Sequence, residues 1–129
     1  MSVRVVRLGS RRAPGEGPRL GTVRRPPRGV PKARFAKDDW YDAWLPDLAP
    51  SDALVKQGLA AQSAQDWELF AKKYRREMQA PGPARLLDVL ALLSQSANFS
   101  VGCYCEDESR CHRSVLRKLL AERGALLAA

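Results

Sequence analysis

Two short segments of the chain have the composition and spacing of β-strands. The first, residues 3–8 (VRVVRL), is rich in β-branched residues. The second, residues 99–105 (FSVGCYC), alternates larger apolar positions with Ser100, Gly102 and Tyr104. In this second strand Cys103 and Cys105 are two residues apart, so they are expected to lie on the same face.

A third strand is predicted at residues 19–25 (RLGTVRR). Gly21 weakens it, and Pro26 and Pro27 end it, because proline cannot donate to a sheet ladder. Residues 11–18 (RRAPGEGP) have the prolines and glycines of a loop. The segment 25–39 is predicted to be a long irregular connection, and loops of this length often bind a ligand.

Helical spacing predicts four helices before the second strand. The first covers residues 38–48 (DDWYDAWLPDL), with Pro46 ending or distorting it. Ser51 is expected to cap a short helix that runs to Leu59. Residues 63–79 form the clearest helix: Ser63 and Asp66 resemble a capping box, and its spaced aromatic residues indicate core packing. The segment 84–96 is apolar on most sides, which predicts burial against the sheet.

A further helix follows the acidic turn CEDES at residues 105–109. Asp107 or Ser109 is expected to cap it, and Gly124 to end it. Its apolar stripe consists of Val115, Leu116, Leu119 and Leu120. Together these elements predict an α/β protein with a small, mostly parallel sheet of three or four strands, packed by helices.

The length of the chain predicts one domain over residues 1–129, with residues 1–17 partly flexible. No apolar run reaches the length of a membrane span, since Asp88 interrupts the richest one, at residues 86–93. The first twelve residues lack the long apolar run expected of a secretory signal. The number of cysteines is three, which does not indicate a framework of disulfides. These features predict a protein of the reducing cytoplasm.

Positive charge is concentrated in the first third of the chain. Residues 1–37 contain eleven Lys and Arg against one Glu, whereas residues 38–129 contain eleven against thirteen acidic residues. Such an excess is typical of a surface that binds nucleic acid or phosphate. It is equally typical of a solvated surface in a chain rich in arginine, because charge alone is not specific.

The candidate chemistry lies at the junction of the second strand and the last helix, in residues 103–113. This segment contains all three cysteines and the single histidine. The predicted first turn of the helix carries Arg110, Cys111, His112 and Arg113. Free N–H groups and two guanidinium groups there would bind an anion, and the same field would lower the pKa of a thiol.

More arginines are expected at this edge of the sheet if the strands are parallel. The end of the third predicted strand would then bring Arg24, Arg25 and Arg28 close to Cys105. The alternative is that the arginines of the site pair with acidic neighbours: Arg110 or Arg113 with Glu106, Asp107, Glu108 or Asp88.

Three kinds of chemistry are open to the cysteines. A nucleophilic thiolate at Cys111 or Cys105, assisted by His112, is one. Neither the phosphatase spacing of Cys, five residues and Arg nor a Cys-x-x-Cys pair occurs. A second possibility is that the cysteines have no chemical role and are buried as small apolar residues. Zinc is the third, with Cys103, Cys105, Cys111 and His112 as ligands, but adjacent helical residues diverge by about 100°, which argues against a metal site.

The leading hypothesis is therefore a protein that binds an anionic ligand, a nucleotide or nucleic acid, through this Cys-His-Arg site. The first alternative is a cysteine-dependent enzyme that acts on a phosphorylated or otherwise anionic small molecule. The second is a regulatory or interaction protein, with Trp40 and Trp44 on a helix that contacts a partner. The residues do not identify a cofactor.

Four segments of the chain resemble the family called domain of unknown function 488, in its YeaO-like branch: RLGTVRRPPRGVPK, WLPDLAPS, WELFAKKYRREM and CYCEDESRCHRSVL. They span roughly residues 18–124. The resemblance implies a prokaryotic α/β protein with a small sheet, from a family without a settled activity. Where that branch often has Val-Asp-Arg-Leu-Trp-Pro-Arg-Gly, residues 22–29 read TVRRPPRG, so an acid and a tryptophan are absent. The motif at residues 111–113 is closer to other branches of the family.

Overall fold

The computed structural model describes residues 1–128 and contains a four-stranded sheet in the order β1-β4-β2-β3. The strands are β1 (Val3–Arg7), β2 (Arg19–Gly21), β3 (Ala43–Trp44) and β4 (Phe99–Cys103). Every pair in the sheet is parallel. The prediction of an α/β fold with a small parallel sheet is confirmed. β1 lies in the sheet, whereas the expected flexibility of residues 1–17 stays a prediction.

The central strand β4 is buried along its whole length, as expected for a parallel sheet covered on both faces. β1 pairs with it from Val3 opposite Phe99 to Arg7 opposite Cys103. β2 pairs with its other edge and is only three residues long, not seven as predicted. Beyond Thr22 the chain leaves the sheet, and there the guanidinium of Arg24 binds the carbonyl oxygens of residues 46, 49 and 50.

The helix predicted at residues 38–48 is wrong. This segment forms β3 and a short 3-10 helix, Pro46–Leu48. Its backbone bonds to β2 instead of to itself: the amide of Asp42 donates to the carbonyl of Arg19, and that of Leu45 to the carbonyl of Gly21. Tertiary pairing has therefore overridden the helical spacing, and the proposed helical partner surface bearing Trp40 and Trp44 does not exist.

Four α-helices pack on the sheet: α1 (Asp52–Ala60), α2 (Ala64–Glu77), α3 (Pro81–Leu93) and α4 (His112–Glu122). The predicted cap of α1 by Ser51 is confirmed, and so is the capping box of α2. The predicted start of α3 at residue 84 is wrong by one turn, because Pro81 occupies its first position, where no amide donor is needed.

The helix α3 packs one face into the core, and its opposite face is exposed although it is also apolar. Leu87, Leu90 and Ala91 are buried. Val89 and Leu92 are exposed, the latter by 74%.

The apolar stripe predicted for α4 is buried throughout. Gly124 follows the helix with a φ of 82°, as expected for a glycine that ends a helix.

The main core lies between β4 and the helices and includes Tyr74, Val101 and Leu116. A second, smaller apolar cluster lies at the carboxyl edge of the sheet: Leu8, Val23, Tyr41, Cys103 and Cys111. Within residues 1–128, no helix has the length and apolar character that crossing a membrane requires.

Candidate functional site

The junction between β4 and α4 lies at the carboxyl edge of the sheet, where open α/β sheets bind ligands. A short 3-10 helix, Glu108–Arg110, precedes α4, and the side chain of Asp107 caps it by accepting from the amide of Ser109. Cys111 is the residue that precedes α4, with φ of −131° and ψ of 151°. Arg110 therefore lies outside the helix, and the prediction that it belongs to the first turn is wrong.

The three cysteines and His112 come together at this edge. The Sγ atoms of Cys103 and Cys105 are 3.8 Å apart. The Sγ atom of Cys111 is 3.8 Å from Nδ1 of His112. One donor atom from each of Cys103, Cys111 and His112 lies within 4.8 Å of the others. Cys105 lies outside that group but contacts Cys103, and we call the four residues Cys103, Cys105, Cys111 and His112 the thiol cluster.

A backbone contact orients the His112 ring. Its Nε2 lies 2.8 Å from the carbonyl oxygen of Thr22. Because a carbonyl oxygen only accepts, this contact places the proton of a neutral imidazole on Nε2. Nδ1 then directs a lone pair toward Cys111. The edge of the ring packs against Tyr74, with ring centroids 5.4 Å apart.

Arg113 lies behind the cluster, in the protein interior. It is only 3% exposed, and its Nη2 donates to the carbonyl oxygen of Cys105 at 2.5 Å. Its Nε has no hydrogen-bond partner, and no carboxylate of residues 1–128 forms an ion pair with it. Two of the acidic residues proposed as partners bind other arginines instead: Glu108 pairs with Arg117, and Asp88 with Arg123.

The thiols of the cluster differ in acidity. A hydrogen bond from Cys103, another from Cys111 and the charge of Arg113 outweigh partial burial and lower the pKa of Cys105 to about 3. The hydrogen bond to Cys105 raises the pKa of Cys103, and burial adds to this effect. The neighbouring thiol of Cys103 lowers the pKa of Cys111, and His112 adds to this effect. Cys105 is half-buried, so the most acidic thiol is also the most accessible one.

An apolar cavity of about 300 Å³ opens over the thiol cluster, and we call it the thiol cavity. All four members of the cluster line it, and no Asp or Glu of the described chain does. Its other walls come mainly from α1 and α2: Val55, Gly58, Leu59, Trp67 and Phe70. Arg24, Arg25 and Arg110 also line it, of which Arg25 and Arg110 are exposed.

A second cavity of about 790 Å³ adjoins the first, and we call it the basic cavity. It is lined by Arg7, Arg25, Arg28, Ser10 and Trp40, among others. Arg25, Leu59 and Tyr104 line both cavities. Arg28 therefore lies beside Arg25, but not against the thiols as the sequence suggested.

Several residues of the site escaped the sequence analysis. Tyr104 separates the two cavities and donates from its hydroxyl to the carbonyl of Arg25 at 2.8 Å. Leu59 is an exposed leucine at the end of α1, and Thr22 orients His112 through a backbone atom. No sequence signal marks these roles, because each depends on a contact between distant segments.

Many of the amino-terminal basic residues are already paired. Arg12, Arg19, Arg25 and Arg34 form ion pairs with acidic residues, and Arg24 binds three carbonyl oxygens. The buried pair of Arg19 and Glu16 stabilises the loop before β2. The charge excess therefore contributes to the fold as well as to a surface.

Two segments quoted for the family resemblance contact each other. The backbone amide of Ser51 donates to Glu77 at 2.8 Å, and the Ser51 hydroxyl donates to the same carboxylate at 2.5 Å. The hydroxyl of Tyr74 donates to the carbonyl of Leu48 at 2.6 Å. These contacts join the start of α1 and the segment before it to α2.

The fold and the site define a small parallel α/β protein with a cysteine and histidine cluster at the carboxyl edge of its sheet. A family model described as the active DUF488-N3 subclade matches residues 3–124. The chain belongs to the family called domain of unknown function 488. The YeaO-like branch stays a prediction. No curated protein and no solved structure matches the chain.

Proposed function

We propose that the protein binds an organic anion, a nucleotide, across the thiol cavity and the basic cavity. The observation that supports this proposal is the adjacency of the two cavities, which share Arg25 and Tyr104. The thiol cavity offers apolar walls, and the basic cavity offers arginines. A ligand with a planar apolar part and a charged end matches both.

The apolar part of such a ligand has a suitable wall. Trp67 is partly exposed and lines the thiol cavity, and its ring is stacked on the buried Phe70, with centroids 4.7 Å apart. Aromatic side chains bind nucleobases by stacking on their faces. A concave site of this size favours a single nucleotide over a duplex.

The charged end of the ligand would lie in the basic cavity. Arg28 is exposed and has no hydrogen-bond or ion-pair partner among residues 1–128. Guanidinium groups bind phosphate through paired N–H donors. Arg25 is paired with Asp52 only through an exposed contact of 3.2 Å, so a phosphate could replace that carboxylate.

Thermal-shift measurements and calorimetry with inorganic phosphate, purine and pyrimidine nucleotides and short single-stranded DNA would test the proposal. A nucleotide should raise the midpoint of unfolding by mass action. Arg28→Ala and Arg110→Ala should weaken its binding about tenfold, as loss of one charge-assisted contact does. Arg85→Ala, an exposed arginine of α3 outside both cavities, is the matched control. Equal affinities in all three variants would contradict the proposal.

The second candidate is a cysteine-dependent enzyme that acts on an anionic small molecule. Its support is the accessible, acidic thiol of Cys105 in the thiol cavity. The description of the matching subclade as active also favours it. Because no carboxylate of the described chain lines the cavity, His112 is the candidate base.

Hydrolysis of p-nitrophenyl phosphate and p-nitrophenyl acetate would test the enzymatic alternative. Turnover by the natural protein that disappears in Cys105→Ser supports a nucleophilic role. Equal rates in both proteins contradict it.

The three unpaired cysteines fit a reducing compartment, and we propose the cytoplasm as the location.

A further inference from the structure

We propose that the thiol cluster binds one zinc ion, with Cys103, Cys105 and Cys111 as thiolate ligands and His112 as the nitrogen ligand. This inference concerns a metal site and goes beyond nucleotide binding. Mixed sulfur and nitrogen donors in a set of four are typical of tetrahedral zinc. The ligands bind deprotonated, so zinc binding would release thiol protons to solvent.

The distances between three of the donor atoms are compatible with a tetrahedral ion, since those of Cys103, Cys111 and His112 lie within 4.8 Å of one another. Cys105 lies outside that group and approaches it through Cys103. With a Zn–S distance of about 2.3 Å, two sulfur ligands lie about 3.8 Å apart. The Sγ atoms of Cys103 and Cys105 are 3.8 Å apart. The Cys111 and His112 donor atoms are also 3.8 Å apart, close to the S–N edge of about 3.5 Å that the same geometry gives.

The backbone explains why adjacent residues can both be ligands. Cys111 and His112 would diverge by about 100° if both were helical. Cys111, however, is extended, and α4 begins only at His112. The objection from sequence spacing therefore does not apply to this junction.

The His112 ring is already oriented as a metal ligand. A histidine that binds zinc usually donates its other N–H to a carbonyl or carboxylate, which fixes the ring and the tautomer. Here Nε2 contacts the carbonyl oxygen of Thr22 at 2.8 Å, and Nδ1 faces the sulfur atom of Cys111.

Arg113 would balance the charge of the filled site. Zinc with three thiolates and a neutral imidazole has a net charge of −1. Arg113 is a buried cation without a carboxylate partner among residues 1–128, and it donates to the carbonyl of Cys105. A buried charge is costly unless an opposite charge lies close to it. The zinc site would supply that charge.

Metal analysis of the whole protein, purified with a phosphine reductant and dialysed against zinc, would test the proposal. One zinc per chain is expected, as is a cobalt derivative with the intense absorption of a four-coordinate thiolate site. Less than one tenth of an equivalent, or the weak spectrum of six-coordinate cobalt, would overturn it. The cobalt spectrum uses the natural protein, so it does not depend on the folding of any variant.

Two variants separate this proposal from nucleotide binding. Cys105→Ser should weaken zinc affinity at least tenfold, and unchanged affinity would overturn the role of Cys105 as a ligand. Arg110 lines the thiol cavity but offers no metal donor. The Arg110→Ala protein should therefore bind zinc normally, while its affinity for the nucleotide falls. Loss of zinc from Arg110→Ala would contradict the assigned ligand set.

Discussion

His112 and Thr22, ninety residues apart, meet through a 2.8 Å contact between Nε2 and a backbone carbonyl oxygen. This contact connects the residue that follows β2 to α4, and it leaves Nδ1 facing Cys111. Because the acceptor is a backbone atom, substitution of the Thr22 side chain would not remove it. The orientation of the single histidine is therefore a property of the fold.

The tautomer of His112 is directly measurable. In the metal-free protein we expect the neutral form of the ring to carry its proton on Nε2, because only that nitrogen faces a carbonyl. Nitrogen-15 NMR of the imidazole can show this without ambiguity, since the chain has one histidine. Thr22→Val should keep the same tautomer. A proton on Nδ1 in the natural protein would contradict the assignment.

Alkylation of the metal-free protein should distinguish the three thiols. The pKa of Cys105, lowered to about 3, keeps it a thiolate at pH 5. Its rate with iodoacetamide should therefore change less than tenfold between pH 5 and 8, whereas that of an ordinary thiol rises about a thousandfold.

Peptide mapping would identify the modified residue. Cys103 is buried with a raised pKa, so it should react last. Zinc added before the reagent should protect all three cysteines if the proposed metal site forms. Preferential modification of Cys103 would contradict the acidity order of the cluster.

Glu16 should make the stability of the protein sensitive to acid. Burial opposes ionisation, but hydrogen bonds from Arg19, Ser100 and Ala13 outweigh it and lower the pKa of Glu16 to about 2. This stabilisation is complete above the unfolded pKa of about 4.3 and is lost as pH falls toward 2. Urea unfolding at pH 7, 4.5 and 3 would show the loss.

A Glu16→Gln variant tests the same contact at neutral pH. It leaves the Arg19 guanidinium buried without its charge partner, which should cost about 3 kcal/mol in the free energy of unfolding. Asp38→Asn, which breaks the exposed pair with Arg34, is the control and should barely change the midpoint. Equal effects of the two variants would contradict the importance of the buried pair.

Gly21→Ala should destabilise the sheet beside the site. A Cβ atom there would lie 2.3 Å from the ring of Tyr41, so the ring must move, at a cost of about 1–3 kcal/mol. Gly82→Ala is a matched control, because its Cβ would meet nothing within 4 Å and it lies in α3. Thermal unfolding would compare them, and an equally stable Gly21→Ala protein would contradict the close packing of Tyr41.

Glu77→Gln should affect stability and leave ligand binding unchanged. The carboxylate accepts two hydrogen bonds from Ser51 and so joins the end of α2 to the start of α1. Weakening a charge-assisted pair of this kind should cost about 1–2 kcal/mol. Denaturant unfolding measures the cost. A fall in nucleotide or zinc affinity without loss of stability would show a functional role instead.

Most of the local structure followed from the sequence. The capping residues Ser51 and Ser63 fixed the starts of α1 and α2, and the apolar stripe of α4 fixed its buried face. These features depend on side chains within one or two helical turns, so a short window of sequence contains the whole interaction. The concentration of chemistry in residues 103–113 was visible for the same reason.

Only the tertiary structure decided how the distant parts meet. Residues 38–48 became an edge strand because β2 offered backbone partners, which helical spacing could not reveal. Arg113 was predicted as a ligand contact, yet the packing of α4 buried it behind Cys105. The geometry of the donor atoms depends on the extended backbone of Cys111 and on the carbonyl oxygen of Thr22, which orients the His112 ring. The sequence by itself determined which chemical groups the site has; long-range packing determined which of them face one another.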